Sequence, residues 1–289
     1  VNGPLVMSPF SISKVGLEHF GQKASIFKRN LMIKRLRESL RRFDFIYTRG
    51  PRSLEILRDY LGINEQKIGM ALDSGFGLRL IHNSLATSKT LRRERRRIVI
   101  VPRRDYFYVY DKKGLYPLYL NALADFILWL YENFDCEIVL SSQSIVSDVI
   151  HDLLHVLRRR ENDSCLKLLQ IVIPKNLVEV YELYDSSDMV VTSRIHGGIS
   201  ALSLGVPALF VLPLVETKVL DVLSFLGLDI NSFLVDMFDA DALKSENIIN
   251  KIGNILENLD YYKKTVESAV KKALPTLELP VKTLINLLG

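Results

Sequence analysis

The chain has 289 residues, 48% of them hydrophobic, and carries a net charge of +5. This length accommodates two domains of ordinary size, and the composition excludes a disordered or fibrous protein. Lysine and arginine outnumber aspartate and glutamate by 20 to 8 over residues 1–100, whereas residues 101–289 carry 18 against 25. The basic first third therefore favours anionic partners, which include phosphorylated substrates, lipid headgroups and nucleic acid.

The cysteines and the apolar segments indicate a cytoplasmic protein. Cys136 and Cys165 lie far apart in the sequence, which favours buried thiols in a reducing compartment over a disulfide framework. Residues 195–215 carry no formal charge apart from a protonated His196, but glycines and prolines divide this stretch into short elements of a buried core. Because the chain begins at Val1 and not at Met, we expect that residues upstream are missing.

Residues 1–81 are expected to form a first α/β domain. Ile26–Arg41 has apolar residues at helical spacing among lysines and arginines, which predicts a basic amphipathic helix. A β-type run at 43–48 precedes a helix predicted over Pro51–Leu61, with proline at its first position and Gly62 just past its end. Lys67–Leu72 is a further short strand.

A basic linker is predicted at 82–97, followed by a second domain at 98–272. Strands and helices alternate regularly here, and the strands are apolar on both faces, which predicts a parallel sheet covered on both sides. The predicted strands are 98–101, 136–140, 168–173, 189–192 and 208–212, and the predicted helices are 118–133, 145–160, 177–184, 199–204 and 217–226. A helical tail is predicted over 240–272, and the segment 273–289 is expected to pack back on the first domain.

Three groups of anion-binding residues follow predicted strands. They are Arg49 with Ser53, Arg103 with Arg104, and Arg194 with His196. A single arginine at a strand end is usually a surface ion pair, but arginine also binds carboxylate and phosphate through a planar fork. Their recurrence predicts a cleft between the two domains that receives a highly anionic ligand.

The third group lies where the strand 189–192 breaks at Ser193. We expect Gly197 and Gly198 to let the backbone approach a ligand, just before a helix whose positive end attracts anions. An imidazole at His196 exchanges protons near neutral pH, although a histidine at a helix start is more often a packing or capping residue. Lys218 is a further candidate charge, or an ordinary solvated lysine.

Four segments in the same order resemble the polysaccharide pyruvyl transferase family. The most specific is YDSSDMVVTSRIHGGISALSLGVPALFVLPLVETKVLDVLSFLGL, with an aspartate, a β-run, an Arg-x-His pair, a Gly-Val-Pro turn and a later lysine. YTRGPRSLEILRDYLGI, the turn at 67–78 and the strand at 98–104 are similar to family segments. Two departures are the absence of the family's Gly-rich opening segment and Gly50, where members commonly have an acidic residue.

The resemblance implies a fold of two Rossmann-like domains facing a cleft, of GT-B type, with the first domain incomplete at its N-terminus. It implies transfer of a pyruvyl group from phosphoenolpyruvate to two hydroxyls of a sugar, which forms a ketal and releases phosphate. His196 would then donate and accept protons, with Arg194 as its catalytic partner. The substrate-binding set implied is Arg49, Ser53, Arg103, Arg104, Ser193, Gly197 and Lys218. Phosphoenolpyruvate is the donor substrate, and no cofactor or metal is required.

Other readings remain open at this stage. A GT-B glycosyltransferase would use Arg194 and Lys218 on the diphosphate of a nucleotide sugar. The basic segments 28–42 and 92–97 suit an anionic membrane, because sugar acceptors in cell-envelope polysaccharide assembly are often lipid-linked; we therefore expect peripheral contact with the inner face of the membrane. The acceptor sugar, its linkage and its carrier stay undetermined.

Nucleic acid and metal ions are the weaker alternatives. Aromatic residues at 106–108 and 110 follow a basic run, but without a nucleic-acid motif an aromatic strand or a sugar-stacking lip is favoured. His151 and His155 have the i, i+4 spacing of zinc ligands, but HDLLH lacks the glutamate of the zinc-protease pattern and no third ligand stands out. We therefore expect no metal site.

Overall fold

The computed structural model describes residues 3–12, 26–77, 95–110, 112–142, 148–160, 163–215 and 217–288. The strands are β1 Val6–Phe10, β2 Phe45–Thr48, β3 Ile68–Met70, β4 Arg96–Val101, β5 Cys136–Ser141, β6 Gln170–Val172, β7 Met189–Thr192, β8 Ala208–Leu212 and β9 Leu234–Asp236. The helices are α1 Ile26–Leu40, α2 Pro51–Glu55, α3 Asp105–Val109, α4 Tyr116–Asn133, α5 Asp148–Arg158, α6 Asp163–Leu168, α7 Leu177–Asp185, α8 Ile195–Ser203, α9 Thr217–Leu226, α10 Ile230–Phe233, α11 Ser245–Glu257, α12 Leu259–Ala273 and α13 Leu279–Leu288.

The chain divides into two compact units. The first consists of residues 1–77, 215–230 and 269–289, and the second of residues 78–214 and 231–268. The predicted linker 82–97 lies outside the described residues up to position 94. Its last two residues, Arg96 and Arg97, already belong to β4, so the strand begins earlier than its apolar run suggests.

The first unit is built on a parallel sheet of β1, β2 and β3. Ile46 of β2 and Ile68 of β3 are buried with Leu40, Leu57 and Leu61 in one apolar cluster. The helix predicted over Pro51–Leu61 is confirmed as α2 and a π-helical continuation, Ile56–Tyr60. Gly62 follows it at a φ of 60°, the left-handed conformation that glycine adopts without strain.

Helix α9 belongs to the first unit, which corrects the domain division made from the sequence. It packs against α2, and the backbone N–H of Ser53 donates to Oδ1 of Asp221 in α9 over 3.2 Å. The alternation of strand and helix runs without interruption from 189 to 226, so the sequence pattern could not indicate that this helix leaves the second unit.

The C-terminal residues also form part of the first unit. Helix α13 lies against β1, and the Tyr47 hydroxyl lies 2.6 Å from Oγ1 of Thr283. The backbone N–H of Leu72 donates to Oγ1 of Thr276 over 3.1 Å. These contacts join the sheet to a segment more than two hundred residues away in the sequence, with separations of 236 and 204 residues.

The second unit is built on a six-stranded parallel sheet of order β6-β5-β4-β7-β8-β9. Strands β7 and β8 are buried along their whole length, which explains why they are apolar on both faces. Strand order reverses between β4, which comes first in sequence, and β7. Ligands in sheets of this kind bind beyond the carboxyl ends of the strands at such a reversal.

One local alternative in the second unit is wrong. The aromatic run after Arg104 forms helix α3 and not a strand, because only Phe107 packs inward while Tyr108 and Val109 are exposed. Residues 234–236, for which the sequence predicted no element, form a short edge strand. The helical tail predicted over 240–272 is confirmed as two helices, α11 and α12.

Across the described parts of the chain, no helix has both the length and the apolar character needed to span a membrane. The expected contact of the basic N-terminal helix with a membrane surface stays a prediction.

Candidate functional site

The ends of β4 and β7 place two arginine-containing corners side by side. Val101 pairs with Thr192 in the parallel register, and the backbone N–H of Ser193 donates to the Val101 carbonyl over 2.9 Å. Arg103 follows the first strand and Arg194 the second. The structure therefore brings together two of the predicted anion-binding groups at the reversal point of the sheet.

The corner at Arg194 is shaped by the side chain of Thr192. The backbone N–H of Arg194 donates to Thr192 Oγ1 over 3.0 Å, and that hydroxyl in turn donates to the Arg194 carbonyl over 3.2 Å. A buried threonine thus satisfies the backbone where the strand ends and α8 begins. Arg194 keeps an extended backbone at the start of this helix, with φ −127° and ψ 123°.

A buried tyrosine links the two corners. The hydroxyl of Tyr119 accepts a hydrogen bond from the backbone N–H of Arg103 over 3.2 Å and lies 2.7 Å from Ser193 Oγ. Burial raises the pKa of Tyr119 to about 12, so the phenol stays neutral at physiological pH. Ser193, predicted to bind substrate, is itself buried and its hydroxyl faces this tyrosine.

The Arg194 guanidinium is half-buried, and its Nε is fully enclosed without a hydrogen-bond partner among the described residues. Burial lowers the pKa of Arg194, and the positive charge of nearby Arg103 lowers it further. An arginine stays protonated even so. The site therefore holds a partly desolvated positive charge, which a bound anion would stabilise.

The two arginines after β4 have partners of their own. Arg103 Nε lies 3.0 Å from Asp105 Oδ2, and its guanidinium lies over the Tyr106 ring at 4.4 Å from the centroid. Arg104 has one nitrogen 3.6 Å from Asp152 and lies 5.4 Å from the Tyr108 ring centroid. Arg103 is thus oriented beside Arg194 by its neighbours, whereas Arg104 pairs with a carboxylate of α5.

Helix α8 begins four residues earlier than the sequence indicated, so the diglycine lies inside its first turn. A Cβ at position 198 would overlap the ring of Phe210 in β8. Gly198 is therefore required for helix-on-sheet packing, and the expectation that it allows a ligand close to the backbone is wrong. Gly197 is buried as well. The first-turn N–H groups of α8 have no acceptor within the helix and favour an anion at its start.

His196 is exposed on the first turn of α8 and lines a cavity of about 300 Å³. The opposite wall comes from the segment Pro174–Leu177, which leads into α7, and Ser200 completes it one turn further along α8. Helices α7 and α8 pack against each other. The predicted proton-transfer residue therefore lies in a concave site, two residues along the chain from the arginine that could hold an anion.

Two predicted binding residues of the first unit have partners within that unit. Arg49 forms an ion pair with Asp73. Ser53 is fully buried and donates its hydroxyl to Asp221, which corrects its assignment as a substrate-binding residue. Gly50 has no room for any side chain, because a Cβ there would overlap the Asp221 backbone. Lys218 is exposed on α9.

Within the ranges that the structure describes, no three His, Cys, Asp or Glu side chains are grouped so that they could hold a metal ion. His151 and His155 are both exposed on α5. Burial raises the pKa of Cys136 to about 11 and raises that of Cys165. Both thiols are therefore protonated at neutral pH and are poor nucleophiles.

Sequence reasoning missed three features of the site. Thr192 is the last residue of the strand, as predicted, but the sequence analysis did not assign its hydroxyl to the turn that follows, a typical role for threonine at a strand end. Tyr119 lies in a predicted core helix, and nothing in its local pattern indicates a hydroxyl that reaches two strand ends. Pro174–Asn176 resembled an ordinary loop, although Asn176 is a recognisable helix-capping residue.

Solved structures that resemble this chain include a UDP-GlcNAc 2-epimerase and a trehalose-phosphate synthase. A UDP-GlcNAc 2-epimerase from Neisseria meningitidis bound to UDP-GlcNAc has a TM-score of 0.63 at 13% identity, with 98% of this chain and 69% of that chain covered. An α,α-trehalose-phosphate synthase (UDP-forming) from Burkholderia vietnamiensis has a TM-score of 0.58 at 13% identity, covering 100% and 70%. At such identity the likeness shows the fold alone, an α/β fold of GT-B type.

A comparison with curated proteins gave no significant match. The scan against family models matched polysaccharide pyruvyl transferase over residues 1–213. This range includes both strand ends of the candidate site, the Arg-x-His pair and the cavity wall at Pro174–Leu177.

Proposed function

Since the chain belongs to the polysaccharide pyruvyl transferase family, we propose that it transfers a pyruvyl group from phosphoenolpyruvate to two hydroxyls of a sugar. The family indicates a transferase that acts on polysaccharides. The donor and the ketal product are the parts of the proposal that go beyond the family. Phosphoenolpyruvate enters as a substrate, and the proposal requires neither cofactor nor metal.

The observation that supports this donor best is the Arg194 guanidinium, whose buried Nε has no hydrogen-bond partner among the described residues. Phosphoenolpyruvate has a carboxylate and a phosphate ester on the same carbon, so it needs two cationic groups close together. Arg103 is close enough to Arg194 for its positive charge to lower the pKa of Arg194, and the start of α8 adds backbone N–H donors.

The proposed chemistry assigns His196 the transfer of protons. The imidazolium gives a proton to the methylene carbon of phosphoenolpyruvate, and the adjacent carbon becomes electrophilic. A first sugar hydroxyl forms a C–O bond there and returns its proton to His196. The C–O bond to phosphate then breaks, and the second hydroxyl closes the ketal as its proton passes to the departing phosphate. The products are the pyruvylated sugar and inorganic phosphate, so atoms and charges balance.

In this proposal Arg194 and Arg103 bind the donor substrate and stabilise its leaving group. They hold the carboxylate and the phosphate, and they stabilise the phosphate as it leaves with its electron pair. Because these charges lie in a partly buried site, their interaction with an anion is stronger than it would be in water.

The test is a phosphate-release assay with phosphoenolpyruvate and a panel of hexose and hexosamine glycosides, with the sugar product analysed by mass spectrometry. We expect phosphate release that depends on the sugar, together with a ketal. Calorimetric titration with UDP- and GDP-sugars checks the alternative chemistry of the GT-B fold. Tight nucleotide-sugar binding without any phosphoenolpyruvate binding would contradict the proposal.

A further inference from the structure

We propose that the cavity between the first turns of α7 and α8 binds one neutral pyranose ring, the acceptor of the transfer. This inference rests on the proposed function for the identity of the reaction, but the binding site itself is argued from the cavity. The cavity is lined on one side by His196 and Ser200 and on the other by residues 174–177 and Val180.

The size of the cavity favours a single sugar ring. Its volume of about 300 Å³ is at the lower limit for sites that enclose small molecules. A nucleotide sugar has a base, two sugar rings and a diphosphate, and so requires a considerably larger space. A hexose has six ring atoms and a few substituents, which this volume accommodates.

The lining has the mixed character that a sugar needs. Lys175, Asn176 and Ser200 present polar groups, whereas Leu177 and Val180 present apolar ones. A pyranose ring has hydroxyls around its edge and C–H groups on its faces. A small cavity that combines polar and apolar groups therefore matches a pyranose ring better than it matches a uniformly charged or uniformly apolar ligand.

The rim of the cavity is fixed by a reciprocal cap at the start of α7. The Glu179 carboxylate accepts from the backbone N–H of Lys175 over 2.8 Å and from the Asn176 amide over 2.9 Å. The side-chain oxygen Oδ1 of Asn176 in turn accepts a hydrogen bond from the Glu179 backbone N–H over 3.0 Å. The rim is thus held in one conformation before a ligand arrives.

The same cap argues against a second anion at this place. The carboxylate of Glu179 and the side-chain oxygen of Asn176 already accept hydrogen bonds from backbone N–H groups at the start of α7. The carboxylate also adds a negative charge there. An anion would have to displace these contacts and would meet like charge. The anion belongs instead at the start of α8, and the neutral partner belongs in the cavity. His196 lies in the cavity wall, where a sugar hydroxyl can give it a proton.

The experiment compares two tryptophan substitutions at neighbouring positions of α7 in the full chain. Leu177 lines the cavity and is 53% exposed, whereas Val178 does not line it and is 54% exposed. Both positions accept a larger side chain without disturbing the core, which circular dichroism and thermal melts would verify. Binding of methyl glycosides of glucose, galactose and N-acetylglucosamine is measured by saturation-transfer NMR. Phosphoenolpyruvate binding is measured separately by calorimetry.

For at least one glycoside we expect Leu177→Trp to weaken binding tenfold or more and Val178→Trp to leave binding within twofold of the unsubstituted chain. Phosphoenolpyruvate affinity should be unchanged in both variants. Glycoside binding that is equal in all three proteins, or absent from all three, overturns the inference. If glycosides bind and Leu177→Trp weakens them but phosphoenolpyruvate does not bind, the cavity assignment stands and the proposed donor fails.

Discussion

Two corners of this protein follow the same sequence pattern, a β-strand, an arginine and a helix, yet they differ in how their polar groups are satisfied. After β2, Arg49 forms an ion pair with Asp73, and the first turn of α2 donates to Asp221. After β7, Arg194 has no carboxylate at ion-pair distance within the described ranges, and its Nε is buried without a partner. The first corner contains its own counter-charge, and we propose that an external anion supplies the counter-charge of the second.

This difference separates a structural corner from the corner that we propose binds an anion. Positive groups at a strand end and a helix start need negative partners in either case. In the first unit the protein provides them, so the corner contributes to folding. In the second unit Arg103 adds more positive charge beside Arg194, which costs stability unless a ligand compensates for it. Substitutions in each corner should therefore affect different quantities.

The largest effect is expected for His196→Ala in the second corner. Loss of the proton-transfer group should reduce turnover of phosphoenolpyruvate by about 10²–10⁴-fold, the usual contribution of general acid–base catalysis. Because His196 is exposed, the melting temperature should change little. His155→Ala, an exposed histidine of α5, is the matched control and should retain full turnover. Near-normal turnover in His196→Ala would remove this residue from the mechanism.

A smaller effect on the same corner is expected for Tyr119→Phe. The substitution keeps the buried ring but removes the hydroxyl that contacts both Arg103 and Ser193. We expect phosphoenolpyruvate affinity to fall about tenfold, because each hydrogen bond that orients the two corners contributes roughly 1 kcal/mol. Steady-state kinetics measures KM and kcat separately. A loss of orientation for the anion should raise KM more than it lowers kcat.

Tyr262→Phe provides the control for Tyr119→Phe. Its hydroxyl accepts a hydrogen bond from Asn254 over 2.7 Å, so this variant also loses one hydroxyl contact of a largely buried tyrosine in the second unit. It should lower stability by about 1 kcal/mol without any change in KM. Equal changes in KM for the two variants would mean that Tyr119 acts through general stability alone.

These two corners also show how far the sequence alone reaches. Strand runs and helix punctuation predicted the parallel sheets, and the Arg-x-His pair marked the strand end at which we propose that the anion binds. Local pattern could not show that Asp221, 168 residues from Ser53, completes the first corner, nor that Phe210 fills the space beside Gly198. Both depend on packing between segments that are distant in the sequence, and local periodicity and spacing carry no information about such packing.

In the first corner the effects should appear in stability. Gly50 has an extended backbone that any residue can adopt, so only the lack of space beside Asp221 excludes a side chain. Gly50→Ala should therefore destabilise the protein by about 1–3 kcal/mol through overpacking. Gly62→Ala is the comparison, because Gly62 has open space but a φ of 60°. It should cost about 1 kcal/mol from backbone strain, measured by urea unfolding.

A larger loss for Gly62→Ala than for Gly50→Ala would mean that the helix start moves away from Asp221 at little cost. The corner would then be looser than its contacts indicate. Equal phosphoenolpyruvate binding in the two variants is expected, since neither position belongs to the second unit.

The smallest effect is the pH dependence that Asp221 gives to folding. Burial raises the pKa of this fully buried carboxyl above the usual value of 3.8, and hydrogen bonds from Ser53 only partly oppose the shift. A raised folded pKa means that the native state holds the proton more tightly than the unfolded state does. The resulting stability is fully present below pH 3.8 and is lost as the pH rises through the folded pKa.

Asp221→Asn removes this titration, so the stability of the unsubstituted protein relative to the variant should fall as the pH rises, by about 1.4 kcal/mol for each unit of pKa shift. Urea unfolding across the pH range measures this difference, in which titrations shared by both proteins cancel. A relative stability that rises with pH would show that the hydrogen bonds at α2 outweigh the burial of the charge, and the first corner would then stabilise an anion as the second is proposed to do.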